Sequence, residues 1–144
     1  MLKLIFVFYF IFFNLLANEE YFLTLRNDKV NLRLGPSFDY PVKIIYKKKF
    51  LPVKVKEKSE NFRKIQDHEN NSGWIHISQL SKKKSGITIE EAFLYNRPTI
   101  FSKPLANIKI NRLLIISKCK RDWCKIKTED FSGWVKKKSI WGRL

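Results

Sequence analysis

Apolar and polar positions alternate in short stretches from residue 21 onward, and this alternation predicts strands. The clearest stretch covers residues 30–34 and runs into Gly35-Pro36-Ser37. A period of two is typical of a half-buried strand, and a Gly-Pro pair ends a strand in a turn. Similar runs follow at 42–46, 51–55 and 62–66. Short strands at close spacing predict an all-β fold, with a small barrel over residues 21–81.

The same order of motifs returns in the second half of the chain. S-G-W-I at 72–75 returns as S-G-W-V at 132–135, and N-F-R-K-I at 61–65 returns as D-W-C-K-I at 122–126. Two prolines and a closing apolar residue also recur in the same order. Several matches in one order indicate an internal duplication. The sequence therefore predicts two tandem barrels, of which the second is divergent.

The boundary between the two barrels is predicted from a charged run. Lys82-Lys83-Lys84 is followed by Ser-Gly, a composition that has nothing to bury and is typical of a linker. We place the linker at 82–87 and the second barrel at 88–144. Barrels this small have marginal cores when alone, so we expect the two to pack together.

The first residues resemble a secretory signal in their layout. Met1-Leu2-Lys3 carries one positive charge, residues 4–13 are all apolar, and Asn18-Glu19-Glu20 is polar and acidic. This layout predicts a signal peptide at 1–17, cleaved after Ala17. The alternative is an uncleaved anchor, although the run is shorter than the ~20 residues of a spanning helix. We expect a periplasmic or secreted protein with no transmembrane segment in the mature chain.

Cys119 and Cys124 are the two cysteines of the chain, and they flank a predicted hairpin turn. In an exported protein such a pair predicts a disulfide, and facing positions of a hairpin are close enough for one. Reduced structural thiols, or a nucleophilic or metal-binding role, are the alternatives. Two cysteines and two histidines match a zinc count, but the H-x7-H and C-x4-C spacings match no common site, so we predict no metal.

The chain is strongly basic, with a formal net charge of +16. Such a charge suits a polyanionic partner, for example anionic lipid, a cell-wall polymer or nucleic acid. The simpler interpretation is general basicity, because the lysines are scattered or stand in short runs. A hydrophobic content of 44% excludes a disordered polyelectrolyte. The export signal argues against nucleic acid as a partner.

The stretch V-N-L-R-L-G-P-S at 30–37, with Gly73-Trp74 some way further on, resembles the bacterial SH3 (SH3b) family. In that family this strand opens the domain, and a G-W strand with a helical turn closes it. The resemblance is good over 25–81 and weak over 90–141. The whole layout is similar to small exported SH3 domain-containing proteins of Gram-negative bacteria. It implies a five- or six-stranded barrel without catalysis that targets cell-wall peptides or peptidoglycan.

Candidate ligand-binding residues come from the first barrel, because it keeps the full motif. Asn31 and Arg33 in the opening strand could contact a carboxylate or a sugar, and the alternative is that they brace the Gly-Pro turn. The aromatic candidates could form a stacking platform, with burial in the core as the alternative, and the histidine could be incidental. The candidates are Asn31, Arg33, Tyr40, Tyr46, Trp74 and His76.

Enzyme interpretations find little support in the sequence. Catalysis by Cys and His needs the two side chains together, but both cysteines lie in the second unit and both histidines, His68 and His76, in the first. A phosphate loop is also absent from the sequence, since Gly35 is followed by a proline that lacks an N–H donor. We therefore predict no cofactor and a non-enzymatic binding module for cell-wall peptide, peptidoglycan or a periplasmic protein. The alternatives are a protein–protein scaffold and a charge-driven binder of anionic surfaces or nucleic acid.

Overall fold

The computed structural model describes residues 19–128 and 130–144, and this part of the chain consists of strands, loops and two short 3-10 turns. The all-β fold class predicted from the alternation is confirmed. The predicted signal peptide at 1–17, with its cleavage after Ala17, lies outside the described residues. Among the described residues, no helix has the length and apolar character needed to cross a membrane.

Within the described residues, fourteen strands fall into two groups of seven, each with a 3-10 turn before its last strand. The first group is β1 Tyr21–Leu25, β2 Val30–Arg33, β3 Val42–Tyr46, β4 Pro52–Ser59, β5 Phe62–Gln66, β6 Ser72–His76, the turn Ile77–Gln79 and β7 Leu80–Ser81. The second group is β8 Ser85–Thr88, β9 Ala92–Tyr95, β10 Pro104–Ile108, β11 Leu113–Lys120, β12 Trp123–Lys127, β13 Ser132–Lys136, the turn Lys137–Ser139 and β14 Ile140–Arg143.

The two sheets have the same topology. The strand order is β3-β2-β6-β5-β4-β1-β7 in the first sheet and β10-β9-β13-β12-β11-β8-β14 in the second. Matching turns also share a backbone conformation: Glu60 and Arg121 both have a positive φ, of 49° and 54°, between the paired long strands. The duplication inferred from four short motifs therefore extends to every strand. Each sheet has seven strands rather than the five or six that the resemblance implied, because a short last strand pairs with the first.

Each sheet wraps around its own core, as a barrel does. In the first unit, all seven strands contribute buried or half-buried apolar side chains to one cluster, which a flat sheet could not bring together. The close contact of β6 with β2 needs a glycine, because a Cβ on Gly73 would lie 2.7 Å from the carbonyl oxygen of Arg33. Gly133 meets the carbonyl oxygen of Tyr95 at the same distance in the second unit. The glycine of the Gly-Trp motif is thus what allows each barrel to close.

The linker predicted at 82–87 is shorter in the structure. Ser85–Thr88 forms β8, and all four of its residues are buried. Gly86 lies against the side chain of Ile140, where a Cβ would not fit, and Ile87 packs into the core cluster of the first unit. Ser-Gly composition predicted a solvated linker, but here the small residues allow a strand to fit between two packed layers. The connection between the barrels is reduced to residues 82–84.

The two barrels pack together, as expected from their small cores. The ring of Phe22 in β1 meets that of Trp141 in β14 edge to face, with centroids 4.8 Å apart. Arg143 donates from Nη1 to the carbonyl oxygen of Phe22 at 2.8 Å, and Ser85 Oγ donates to the carbonyl oxygen of Phe50. These contacts combine apolar and polar groups from both units, so the barrels form one continuous structure.

Candidate functional site

Four of the six predicted binding residues lie on the outer face of the first sheet. Asn31 and Arg33 alternate along β2 with buried apolar residues, and Arg33 stands directly opposite Trp74 on β6. His76 follows two positions after Trp74 and therefore points to the same side of the sheet. The structure thus brings together Asn31, Arg33, Trp74 and His76.

Arg33 braces the loop that follows β2. Its Nη1 donates to the carbonyl oxygens of Phe38 at 3.2 Å and Tyr40 at 2.9 Å, and its guanidinium lies 5.4 Å from the centre of the Phe38 ring. The ring of Tyr40 covers Gly35 so closely that a Cβ at that position would overlap it. The first-unit motif therefore builds a tight loop, as the bracing alternative expected for Arg33.

Tyr46 belongs to the core instead of the outer face. Its ring is only 9% exposed, and its hydroxyl donates to Oδ2 of Asp67 at 2.8 Å. Asp67 is buried as well and also accepts the backbone N–H groups of Glu69 and Asn71. Burial, reinforced by the hydrogen bond to Asp67, raises the pKa of Tyr46. This tyrosine is part of a buried polar network that supports the 67–71 loop.

Phe38 lies between the braced loop and the sheet, in contact with two rings although it is 61% exposed. Its ring centre lies 5.2 Å from that of Phe62 and 5.0 Å from that of His76. His76 is held in place because its Nδ1 accepts the N–H of Ser78 at 3.2 Å at the start of the 3-10 turn. In the first unit, the surface formed by Phe62 and His76 is therefore occupied by Phe38, a side chain of the protein itself.

The corresponding place in the second unit is an open groove of about 670 Å³. The loop after β9, the β11–β12 turn and the second 3-10 turn form its walls. We name it the Trp123 groove. Its lining residues are Pro98, Thr99, Ile100, Asp122, Trp123, Lys136, Lys137 and Lys138.

Sheet register fixes which residues correspond between the two places. Phe62 pairs with His76 in the first sheet, and Trp123 pairs with Lys136 in the second. The two loops carry equivalent backbone hydrogen bonds, which put Ile100 where the first unit has Phe38. From the first unit to the second, Phe38 is replaced by the smaller Ile100. On the sheet below, Phe62 is replaced by the larger Trp123, and a lysine, Lys136, replaces His76.

The loop of the second unit is stabilised in a different way. Ser102 takes the position of Tyr40, and its buried hydroxyl lies 3.0 Å from the carbonyl oxygens of both Arg97 and Thr99. The same hydroxyl oxygen accepts the N–H of Arg97 at 3.2 Å. The loop of the second unit is thus held from within by Ser102, whereas the loop of the first unit is held by Arg33.

The floor of the Trp123 groove is held by the covalent bond that the sequence predicted. Cys119 and Cys124 form a disulfide, and they are opposite each other in the β11–β12 hairpin. Trp123 directly precedes Cys124, and the N–H of Lys137 donates to the carbonyl oxygen of Asp122 at 2.7 Å. The hairpin that carries Trp123 is therefore tied both to itself and to the lysine-rich turn.

Chemically, the Trp123 groove combines an aromatic surface with positive charge. Trp123 offers an indole, Lys136, Lys137 and Lys138 offer ammonium donors, and Asp122 adds one acceptor. Such a lining suits a ligand that has an apolar face and carries a carboxylate. In the described part of the chain, no group of three His, Cys, Asp or Glu side chains is arranged to hold a metal ion.

The sequence directed attention to the first unit, because that unit keeps the full opening motif. The signal for the Trp123 groove is present in the sequence but depends on comparing the copies. Trp123 aligns with Phe62, and Lys136-Lys137-Lys138 aligns with the segment that starts at His76. The motifs align Pro98 of the loop at 97–103 with Pro36, but they do not show that the replacement of Phe38 by Ile100 leaves a groove.

Comparison with known proteins agrees with this architecture. A family model described as "Bacterial SH3 domain" matches the chain twice, at residues 26–82 and 89–142. The two matched segments coincide closely with the two seven-stranded units. No curated protein matches the chain.

Several solved structures are similar to the chain. The structure of NlpC2 from Trichomonas vaginalis shares 12% identity with a TM-score of 0.39, and the match covers 85% of this chain and 48% of the NlpC2 chain. The structure of NlpC1 from the same organism shares 12% identity with a TM-score of 0.38, and the match covers 85% of this chain and 45% of the NlpC1 chain. An NlpC/P60 family protein from Bacillus cereus shares 13% identity with a TM-score of 0.38, and the match covers 84% of this chain and 56% of that protein's chain. The chain therefore spans about half the length of these proteins.

Proposed function

Because this chain belongs to the bacterial SH3 domain family, we propose that it is a non-catalytic module that binds cell-wall material outside the cytoplasm. Bacterial SH3 domains are typically cell-wall binding modules. The single observation that carries the proposal is the Trp123 groove, an open aromatic and cationic site. We propose a ligand that bears carboxylates, which the stem peptides of peptidoglycan do.

Two further features support an extracytoplasmic site of action. The Cys119–Cys124 disulfide is of the kind that forms in oxidising compartments. The net charge of +16 favours a polyanionic surface such as the wall. A third feature supports the second unit as the binding unit, because in the first unit the equivalent place is taken by Phe38.

Co-sedimentation of the purified exported protein with isolated sacculi tests the proposal. The test variant is Lys137→Glu with Lys138→Glu, two exposed lysines of the Trp123 groove. The matched control is Lys47→Glu with Lys48→Glu, two exposed lysines of the first unit, with the same change in net charge. We expect the groove variant to lose at least about tenfold in affinity and the control to lose much less, because only the groove lysines face the ligand.

A salt series separates recognition from general basicity. Binding driven by charge alone falls by about 10³-fold or more between low and moderate salt when several contacts are lost together. Recognition through an aromatic groove weakens only in part. Equal losses in the two lysine variants would refute the groove and leave non-specific basicity. If no protein sediments even at low salt, wall binding is wrong and a protein–protein scaffold replaces it.

A further inference from the structure

The first unit contains, within its own chain, a ring bound at the place that the second unit leaves open. Phe38 lies between Phe62 and His76, with ring centres about 5 Å from each. Trp123 and Lys136 stand at the matching positions of the second sheet, and the place of the ring is vacated by Ile100. The geometry of the duplicated scaffold therefore indicates that the Trp123 groove has room for a six-membered ring.

The lining of the Trp123 groove indicates what kind of ring fits. A phenyl ring needs only apolar contacts, and the first unit supplies them with an aromatic side chain. The second unit adds the ammonium groups of Lys136, Lys137 and Lys138, the carboxylate of Asp122 and the hydroxyl of Thr99. Donors and acceptors on several sides of an aromatic floor match a ring with hydroxyl groups. The excess of ammonium groups over carboxylates matches a ring that also carries a negative charge.

Aromatic side chains continue beyond the groove across the outer face of the second sheet. The ring of Tyr95 meets Trp123 edge to face at 5.4 Å, and the half-exposed ring of Phe93 lies 6.3 Å beyond Tyr95. A smaller hollow of about 220 Å³ lies beside these residues; it shares Lys136 and Lys138 with the groove and is also lined by Glu90 and Glu91, which suits an uncharged sugar. This row of rings beside shared lysines suits a ligand made of several rings in succession.

We propose that the Trp123 groove binds a carboxylate-bearing sugar ring, the N-acetylmuramic acid of wall glycan from which the stem peptide has been removed, with the adjoining hollow receiving the next sugar. The C–H groups on one face of the ring pack on the indole of Trp123, whose π-face carries partial negative charge. The carboxylate points to the ammonium groups of Lys136 to Lys138, and Asp122 accepts from a hydroxyl. This inference rests on the proposed function and names the part of the wall that the groove recognises.

The test is a titration followed through the indole N–H signals in two-dimensional NMR. The chain has four tryptophans, so Trp123 gives one of four signals, and the variant Trp123→Phe identifies it. The probe is N-acetylmuramic acid, alone and within a disaccharide with N-acetylglucosamine. We expect the Trp123 signal to shift with both probes, more tightly with the disaccharide, and N-acetylglucosamine alone to bind at least about tenfold more weakly because it lacks the carboxylate.

A plug variant provides a control for the site. Ile100→Phe gives the second unit the aromatic side chain that closes the first, and we expect it to weaken binding at least about tenfold. The matched control is Phe38→Ile, which makes the opposite change in the first unit and should leave the Trp123 titration unchanged. A folded Ile100→Phe protein that binds as well as the parent would overturn the inference.

The remaining outcomes separate this inference from the proposed function. If sacculi bind but neither sugar moves the Trp123 signal, the inference is wrong and wall binding stands. A free stem peptide that shifts Trp123 when the sugars do not has the same meaning. An acetylated Phe-Glu dipeptide that binds more tightly than the sugars would assign the groove to a protein segment instead. If the sugars bind but sacculi do not, either intact or after enzymatic removal of their stem peptides, the wall function fails.

Discussion

The loop after β2 and the loop after β9 share one backbone design and have opposite effects on the surface. The N–H of Leu34 donates to the carbonyl oxygen of Pro41 at 3.1 Å, and that of Asn96 donates to Lys103 at 3.0 Å. Inside each loop, the two backbone hydrogen bonds that span two and three residues also correspond. One loop nevertheless covers the sheet with Phe38, and the other leaves it open beside Ile100. The backbone was retained after duplication, and the side chains alone decide whether a groove exists.

The side chains of each loop work as a set. In the first unit, Gly35 provides the space for the ring of Tyr40, and Arg33 holds the loop from the sheet. In the second unit, Arg97 replaces the glycine, and Ser102 replaces the tyrosine and holds the loop from within. A single exchange between the sets would conflict with its new neighbours. The comparison teaches that binding surfaces can change by coordinated replacement on a constant frame.

The largest expected effect on stability concerns the disulfide, which only the second unit has. Replacing Cys119 and Cys124 by Ala should reduce the free energy of unfolding by about 2 kcal/mol, because a short closed loop restricts the unfolded chain. Urea denaturation measures the change. Lys58 and Arg63 occupy the same facing positions in the first unit, so changing both to Cys should create a second disulfide. An unchanged urea midpoint in the Ala variant would show that the hairpin needs no bond.

The next effect tests the loop set of the first unit. Gly35→Arg should destabilise the protein by about 1–2 kcal/mol, since a side chain there displaces the ring of Tyr40. Adding Tyr40→Ser gives the pair found in the second unit and should recover most of the loss. A double-mutant cycle in urea measures the coupling between the two positions. Additive losses would mean that the two residues do not act as a set.

A smaller difference is expected between the two ways of holding the loops. Ser102→Ala should cost about 1–2 kcal/mol, because the residue is only 6% exposed and its hydroxyl contacts three backbone groups. Arg33→Ala should cost about 1 kcal/mol or less, because the carbonyl oxygens it leaves are at the surface and can bind water. Thermal and urea unfolding of the two variants provide the measurement. The reverse order would contradict the assignment of internal and external bracing.

An effect that is absent at neutral pH comes from Tyr46, whose position in the second unit is taken by Ile108. The raised pKa keeps Tyr46 protonated in the folded state, whereas an unfolded tyrosine ionises near pH 10. Its contribution is present in full below about pH 10. Above that pH the unfolded state binds fewer protons, so stability falls by up to about 1.4 kcal/mol per pH unit.

Stability measured from pH 9 to pH 11 in the parent and two variants checks this prediction. Tyr46→Phe should show a smaller loss with rising pH than the parent. Tyr21→Phe, which removes the same atom from an exposed ring at the start of β1, is the matched control. Identical slopes in the two variants would show that Tyr46 does not account for the alkaline sensitivity.

The fold could be predicted because its signals are local and repeated. Alternation at 30–34 and the two Gly-Trp motifs identify strands without knowledge of the tertiary structure, and the order of motifs reveals the duplication. β8 was missed because Ser-Gly composition is typical of a linker, and only the contact of Gly86 with Ile140 explains why a strand needs it there. Burial by a neighbouring unit is not visible in a local pattern.

The candidate site was harder to predict, because it depends on which side chain fills a hollow. The alternation of β2 predicts that Asn31 and Arg33 share a face, and the structure adds Trp74 and His76 to that face. Whether the face binds a ligand stays a prediction. Tyr46 carries no sequence sign of its buried partner Asp67, which lies 21 positions away. The Trp123 groove depends on which side chain the loop at 97–103 places in its lining, here Ile100, and spacing alone does not report such a neighbour.

Ile87 has a consequence for how the protein unfolds. It belongs to the first strand of the second barrel, yet its side chain is 1% exposed and completes the apolar cluster of the first. Separating the barrels would expose this side chain and leave a hole in the other core. Duplicated modules are often independent in folding, but here heat or denaturant should melt both as one cooperative unit. Ligand binding by the second barrel should therefore require that the first barrel is folded as well.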